Sequence, residues 1–323
     1  MKTKHLHDLI KGPALGSALG VSAMLLLFSI IDFKGWWSAD SMMNVLHFSA
    51  ILGLLSMGLA IVIMAGEIDL SVGSVYGLTG VAFVTLEPAL GVPGSFVASM
   101  AVAATIGLVQ GLAVVRWRLP SMIVTLGGLF AVRGAIYVWT GGTVSNFSSE
   151  ARTHGLTQLF GGELLGLPAV VWWVAIVALT LGATLNYMPY GNHLLATGGQ
   201  RESAESRGVR VDRVKLIAFV ACSMLAGWAG IMTLCENPHS HVTLGELMEL
   251  EAIAAAVIGG CLLTGGRGSL LGALLGTFIV VGVRFELIAR GAPSSWYMTF
   301  VGAVLIAAVV FNQYLSSKIH RAL

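Results

Sequence analysis

The chain has 323 residues, 56% of them hydrophobic and only 11% charged, with a formal net charge of +2. Its mean hydropathy is +0.85, whereas soluble domains carry roughly 25% charged residues. This composition excludes a soluble globular protein and requires a polytopic membrane protein.

The segment from Met1 to Lys11 is basic, and the apolar run from Ala14 to Ile31 ends in "DFKGWW". That run has no small-residue cleavage site, and Trp36 and Trp37 stand at interface depth, so it is predicted to be a retained first span rather than a signal peptide. A span needs about 20 apolar residues to cross roughly 30 Å of hydrocarbon. Ten segments qualify: about 14–31, 43–65, 70–87, 95–115, 121–140, 168–187, 214–234, 250–264, 269–289 and 296–314. The third and eighth carry the weakest signals.

Lys and Arg in the short loops set the orientation. Lys2, Lys4, Lys11, Arg116, Arg118, Arg201, Arg207, Arg210, Arg213, Lys215, Arg267, Lys318 and Arg321 fall on one side, against Lys34, Arg152 and Arg290 on the other. Arg133 and Arg284 lie within spans. Both termini are therefore expected in the cytoplasm. The whole chain, 1–323, reads as a single membrane domain with an outer loop near 141–167 and an inner loop near 188–213. Cys222, Cys235 and Cys261 are odd in number and fall in or near spans, so no disulfide framework is expected.

Between the second and third spans the chain reads "MAGEIDLSVGSVYG", residues 64–77. A carboxylate at mid-depth costs roughly 2.5–3.5 kcal/mol when it faces lipid, so Glu67 and Asp69 must meet water, protein or a helix end. Asp69 precedes a helix start and is suited to capping it. A second reading breaks the chain into half-spans here, with Ser71 and Ser74 donating to a solute or to freed carbonyls. "GSVYGLTG" at 73–80 is echoed by "GSLLGALLG" at 268–276. The echo fits close helix packing through small residues, or an internal duplication lining a pathway.

In the inner loop, "NHLLATGGQRESAESRGVRVDRVK" at 192–215 opens on Gly198-Gly199, read as a flexible entry. A one- to two-turn helix is predicted over 201–207, with Gly208 as its stop. Ala204 and Gly208, four apart, are expected to form one smooth face able to seat in a partner's groove. No phosphate-binding Gly-x-x-x-x-Gly-Lys-Ser/Thr occurs, so any ATP must be hydrolysed by another chain. His239 and His241 read as a solvated loop pair rather than metal ligands, and no nucleophile, base and oxyanion set marks an enzyme.

The sequence resembles the permease subunits of bacterial ABC importers for monosaccharides, the ribose, xylose, galactose and autoinducer-type group. The resemblance rests on "GEIDLSVGS" (66–74), "PSMIVTLGGLFAVRGAIYVWTGG" (120–142), "ATGGQRESAESRGVRVDRVK" (196–215) and "LEAIAAAVIGGCLLTGGRGSLLGALLG" (250–276), in family order across the chain. It implies an all-α permease of the vitamin-B12-importer type in the bacterial inner membrane. The implied partners are membrane lipid, a second permease copy or paralogue, a periplasmic sugar-binding protein and a cytoplasmic ATPase that uses ATP and Mg; no nucleic acid and no cofactor on this chain are expected. It further implies a coupling helix at Gly199, Glu202, Ala204, Arg207 and Gly208. Signature positions near the path match at Gly66, Asp69, Leu70, Ser71, Gly73 and Ser74, at Thr125, Leu126, Arg133 and Gly134, and at Gly265, Gly266, Gly268 and Ser269. The chain departs from the family pattern at Glu67 and Glu205. Glu67 either tunes the pathway or is a solvated charge at a loop edge, and the second is the favoured expectation. An ABC permease for nucleosides or amino acids, or a secondary transporter with Glu67 and Asp69 as its ion site, remain the alternatives.

Overall fold

A computed structural model describes residues 14–321. Lys2, Lys4 and Lys11 lie outside the described residues. The chain folds as α1 (Ala14–Ile31), α2 (Phe33–Trp36), α3 (Ala39–Met64), α4 (Val72–Arg116) and α5 (Ser121–Thr140). Two short helices, α6 (Ser149–Thr153) and α7 (Gly155–Gly161), and a hairpin of β1 (Glu163–Leu164) with β2 (Leu167–Pro168) form a cap. There follow α8 (Ala169–Tyr187), α9 (Pro189–Gly199), α10 (Arg201–Ser206), α11 (Val211–Glu236), α12 (Met248–Ile258), α13 (Leu270–Ala289) and α14 (Ser294–Arg321). Among the described residues α3, α4, α5, α8, α11 and α13 are long and apolar enough to cross a membrane. The protein is an all-α, multi-pass membrane protein.

α3 is the central post. It is apolar on every side, the pattern of a helix buried all round, and Leu54, Leu55, Met57, Leu59 and Ala60 are fully buried. α8, α11, α12 and α13 pack around it. α5 and α8 lie at the periphery, with only 22% of their apolar windows buried inside the chain.

α4 has 45 residues, about 68 Å if straight and twice what a bilayer needs. It is not straight. Gly91 adopts φ 67°, ψ 170° between Pro88 and Pro93, a backbone conformation open to glycine. Ser71, just before the first half, lies 3.0 Å from Gln110 in the second, and Thr79 and Ala103 both border Gly227. The chain therefore folds back at Gly91, which agrees with the separate third and fourth segments read from the sequence.

The eighth segment departs from expectation. α12 has 11 residues, about 17 Å, half of a membrane crossing. Gly259 and Gly260 end it, and the remaining residues to 264 form a turn instead of helix. Before α12, the stretch 237–247 dips into the bundle: the carbonyl of Leu244 stands against Gly77, and that of Gly245 against Gly73. A non-helical stretch is tolerated at such depth only when protein buries it.

The two echoing glycine stretches both work as packing surfaces. Gly73, Gly77 and Gly80 face the backbones of residues 245, 244 and 230, while Gly272 and Gly276 face those of Gly259 and Ala255. A side chain at 73, 77, 272 or 276 would collide with a neighbouring carbonyl, and one at 80 would be tight, so both stretches serve close backbone packing, the first mainly against the irregular stretch 237–247 and the second against α12 and its end.

Candidate functional site

At one end of the bundle three remote stretches meet through glycine alone. Gly66 follows α3, Gly198 and Gly199 end α9, and Gly265 and Gly266 lie between α12 and α13. Gly66, Gly265 and Gly266 have φ of +81°, +84° and +74°, the left-handed region that glycine enters without a Cβ clash. The Gly266 amide donates to the Met64 carbonyl at 3.1 Å. A Cβ on Gly198 would overlap that same Met64 oxygen and come within 2.7 Å of Gly266 N and 2.8 Å of Gly66 N. Gly198-Gly199 is therefore a site of close backbone contact, not the flexible entry expected from the sequence.

Beside this junction, Glu67 pairs with Lys215 at the start of α11. Their side chains are only 14% and 9% exposed. The favoured expectation of a solvated charge at a loop edge is thereby corrected: burial at this position is tolerable because an opposite charge, 148 residues away in sequence, is brought to it.

One turn deeper lies a chain of buried polar groups. Asp69 Oδ1 accepts from the amide of Ser71 at 2.8 Å and from its hydroxyl at 2.7 Å, and Ser71 Oγ also lies 3.0 Å from Gln110 Oε1. Asp69 is not the cap expected from the sequence: Ser71 stands at the N-cap of α4 without a side-chain cap bond, and the Asp69 carboxylate instead closes a turn on Ser71 just ahead of the helix. Burial pushes its carboxyl pKa up, and the two hydrogen bonds from Ser71 oppose that. The same turn is held to α5, where Ser121 Oγ accepts from the Ile68 amide and Thr125 Oγ1 lies near the Ile68 carbonyl, both at 3.2 Å. Ser74 donates to the Leu129 carbonyl at 3.0 Å. Asp69, Ser71, Ser74 and Thr125 are all 1% exposed or less.

Compared with known proteins, residues 41–309 match the family described as branched-chain amino acid transport system / permease component. The chain belongs to this permease family. It is 33% identical to the ribose import permease protein RbsC of Escherichia coli strain K12 over 293 residues, 89% of this chain and 90% of that one. It is likewise 33% identical to the autoinducer 2 import system permease protein LsrC of Enterobacter sp. strain 638, over 98% of this chain and 91% of the relative. The LsrC of Salmonella typhimurium strain LT2 is 30% identical over 94% of this chain and 88% of its own length. No solved structure matches the chain.

In this permease the other predicted positions divide into two sets. Arg133 on α5 donates to the Val242 and Leu244 carbonyls at 3.0 and 2.8 Å, and so pins the dipping stretch 237–247. Gly73 abuts that stretch, Gly268 abuts Met64 and Cys261, and Ser269 caps α13 by accepting from the Gly272 amide at 3.1 Å. Glu202 and Arg207 instead stand exposed on and just after α10. We expect Arg133→Met to leave two carbonyls without their donor, lowering stability by about 2 kcal/mol. Hydrogen exchange over 237–247 should rise selectively; unchanged protection there would remove Arg133 from this role.

The helix and stop predicted in the inner loop both form, α10 covering Arg201–Ser206. Gly208 has φ +82° and its amide meets the Glu205 carbonyl, while the Val209 amide meets that of Ala204. These two bonds make a Schellman stop. The smooth Ala204–Gly208 face does not exist. Ala204 is buried against its own chain at 3% exposure, and Gly208 lies past the helix end with open space around it.

Sequence reasoning missed Gln110, Lys215 and Ser121 as members of this site, and missed α9 altogether. A lone amide in the apolar run 95–115 was a legible signal for Gln110. Lys215 was hidden by its place at the edge of a charged loop.

Proposed function

We propose that the protein is the membrane permease of an ATP-driven importer that carries a monosaccharide, delivered by a binding protein, into the cytoplasm. The near-full-length likeness to permeases named for ribose and autoinducer 2 import supports this reading most directly. The chain acts as one permease domain over 1–323 in the bacterial inner membrane, with ten membrane segments and both termini inside. Its architecture is of the vitamin-B12-importer type. Two permease copies, or this chain and a paralogue, form the core.

ATP and Mg act in a separate ATPase. The exposed Glu202, Glu205 and Arg207 on and after α10 form the surface offered to it, and only Gln200 separates α10 from the Gly198–Gly199 end of α9 at the glycine junction. A push on α10 is carried through Gly198 to the ends of α3 and of the turn before α13, which lets ATP binding change the packing of the core. The buried chain around Asp69 and Thr125 holds α4 and α5 as one unit during that movement.

Co-reconstitution with the ATPase and binding protein in liposomes tests the proposal. Uptake of D-ribose, D-xylose or D-galactose that requires ATP and both partners is the expected result. Sugar flux at transporter rates through the permease alone overturns it. The family description names branched-chain amino acid transport, so L-valine uptake by the complete system is the outcome that favours a non-sugar solute.

A further inference from the structure

At the end of the bundle opposite the glycine junction, the dipping stretch 237–247 leaves a cavity of about 480 Å³ between itself, α3, α4, α11, α12 and α13. This lies inside the range of about 300–1,000 Å³ typical of small-molecule sites. Its wall carries His47, Tyr76, Glu236, Asn237, Glu251 and Arg284. A second cavity of about 330 Å³ beside α14 shares Glu246, Glu251 and Arg284 with the first. Those three side chains therefore stand between two chambers.

Polar groups in an otherwise apolar bundle are tolerated where they pair with one another or line a water-filled cavity or solute path. The half-length α12 starts at this wall, and transporters place solute sites at such interrupted helices. Most of the charges are already paired within the chain. His47 Nε2 is 3.2 Å from Glu236, and Arg284 is 3.5 Å from Glu251 while stacking over the Tyr297 ring at 5.0 Å. Tyr76 donates to Thr233 at 2.7 Å. Each carboxylate keeps further lone pairs and the guanidinium further donors, all in planar arrays.

We propose that this chamber is a solute station for an uncharged polyhydroxylated molecule of monosaccharide size, entered from the capped end. The inference rests on the sugar-importer reading above and extends it to a place within a single permease chain. Hydroxyl groups bridge the pairs, each accepting from Arg284 or His47 and donating to Glu251 or Glu236. A zwitterionic amino acid fits poorly, because its carboxylate would face Glu236 and Glu251 on a wall whose one guanidinium, Arg284, already lies 3.5 Å from Glu251. An anion is opposed further by Glu246 at the divide between the chambers.

The test uses the complete transporter in nanodiscs, with Thr243→Cys as a reporter in the chamber wall and Cys235→Ala to remove the nearby native thiol. A membrane-impermeant maleimide labels the reporter, and D-ribose, D-xylose, D-galactose and L-valine are added in turn. Binding in the chamber slows labelling by 1 + [L]/Kd, roughly tenfold at a concentration ten times Kd. At least one sugar should protect, L-valine should not, and Glu236→Gln or Arg284→Met should abolish the protection. Protection by none of the three sugars, in a transporter that imports one of them in liposomes, overturns the station while leaving the importer reading intact. Import and protection by L-valine alone overturns the sugar reading together with the solute class assigned here.

Discussion

Gly198→Ala is expected to reduce ATP-coupled uptake at least roughly tenfold, a loss of about 1.4 kcal/mol or more in the coupled step. The new Cβ would overlap the Met64 carbonyl oxygen and crowd the amides of Gly66 and Gly266. Those neighbours are backbone, so no rotamer change relieves the clash, and overpacking of this kind costs about 1–3 kcal/mol. Gly199→Ala is the matched control. Its Cβ would meet Gly266 Cα at 3.7 Å, an ordinary contact, and alanine also favours the helical state. Uptake by the two variants, normalised to the amount of permease in the membrane and of ATPase bound, separates the junction from general helix effects. Equal behaviour of the two would refute a joint built at Gly198.

Breaking the Glu67–Lys215 pair from one side is the second large effect. Glu67→Gln leaves a cation that is 9% exposed without its partner, and Lys215→Met leaves a carboxylate that is 14% exposed. Each change should destabilise the permease by roughly 2–4 kcal/mol, somewhat below the fully buried limit. The double variant Glu67→Gln with Lys215→Met should recover much of that, because neither charge is then stranded. Thermal unfolding of the four proteins in one detergent closes the cycle. Additive losses would show that the two side chains act independently and that the pair holds nothing.

The site was legible in the sequence in proportion to how local its causes are. Gly208 was readable as a stop because the Schellman bonds join residues 204 to 209, all within one stretch. Asp69 was readable as a partner of nearby backbone, but the amide it meets belongs to Ser71, in a turn just ahead of the helix, and not to the helix it was expected to cap. Glu67 was not, since its partner is 148 positions away and Lys215 reads equally well as a loop charge that sets orientation. Ala204 and Gly208 misled for a related reason: spacing by four implies a shared face only if the helix continues, and the left-handed Gly208 ends it. The eighth segment misled because apolar composition reports what surrounds a segment, not whether its backbone is helical. Protein burial around 237–264 satisfies an irregular chain as well as lipid would satisfy a helix.

By itself the sequence determined the membrane class, most of the helices, the reversal near Gly91 and the membership of a permease family. Hydropathy, proline, glycine and short capping patterns act within a few residues, and these features depend on nothing further. The tertiary structure alone decided that Gly66, Gly198 and Gly265 share one contact, that α12 is half a crossing, and that His47, Glu236, Glu251 and Arg284 line one chamber. Each of these brings together groups from remote parts of the chain, and which groups meet is fixed by how closely glycine-faced helices pack and by which buried charges must find partners.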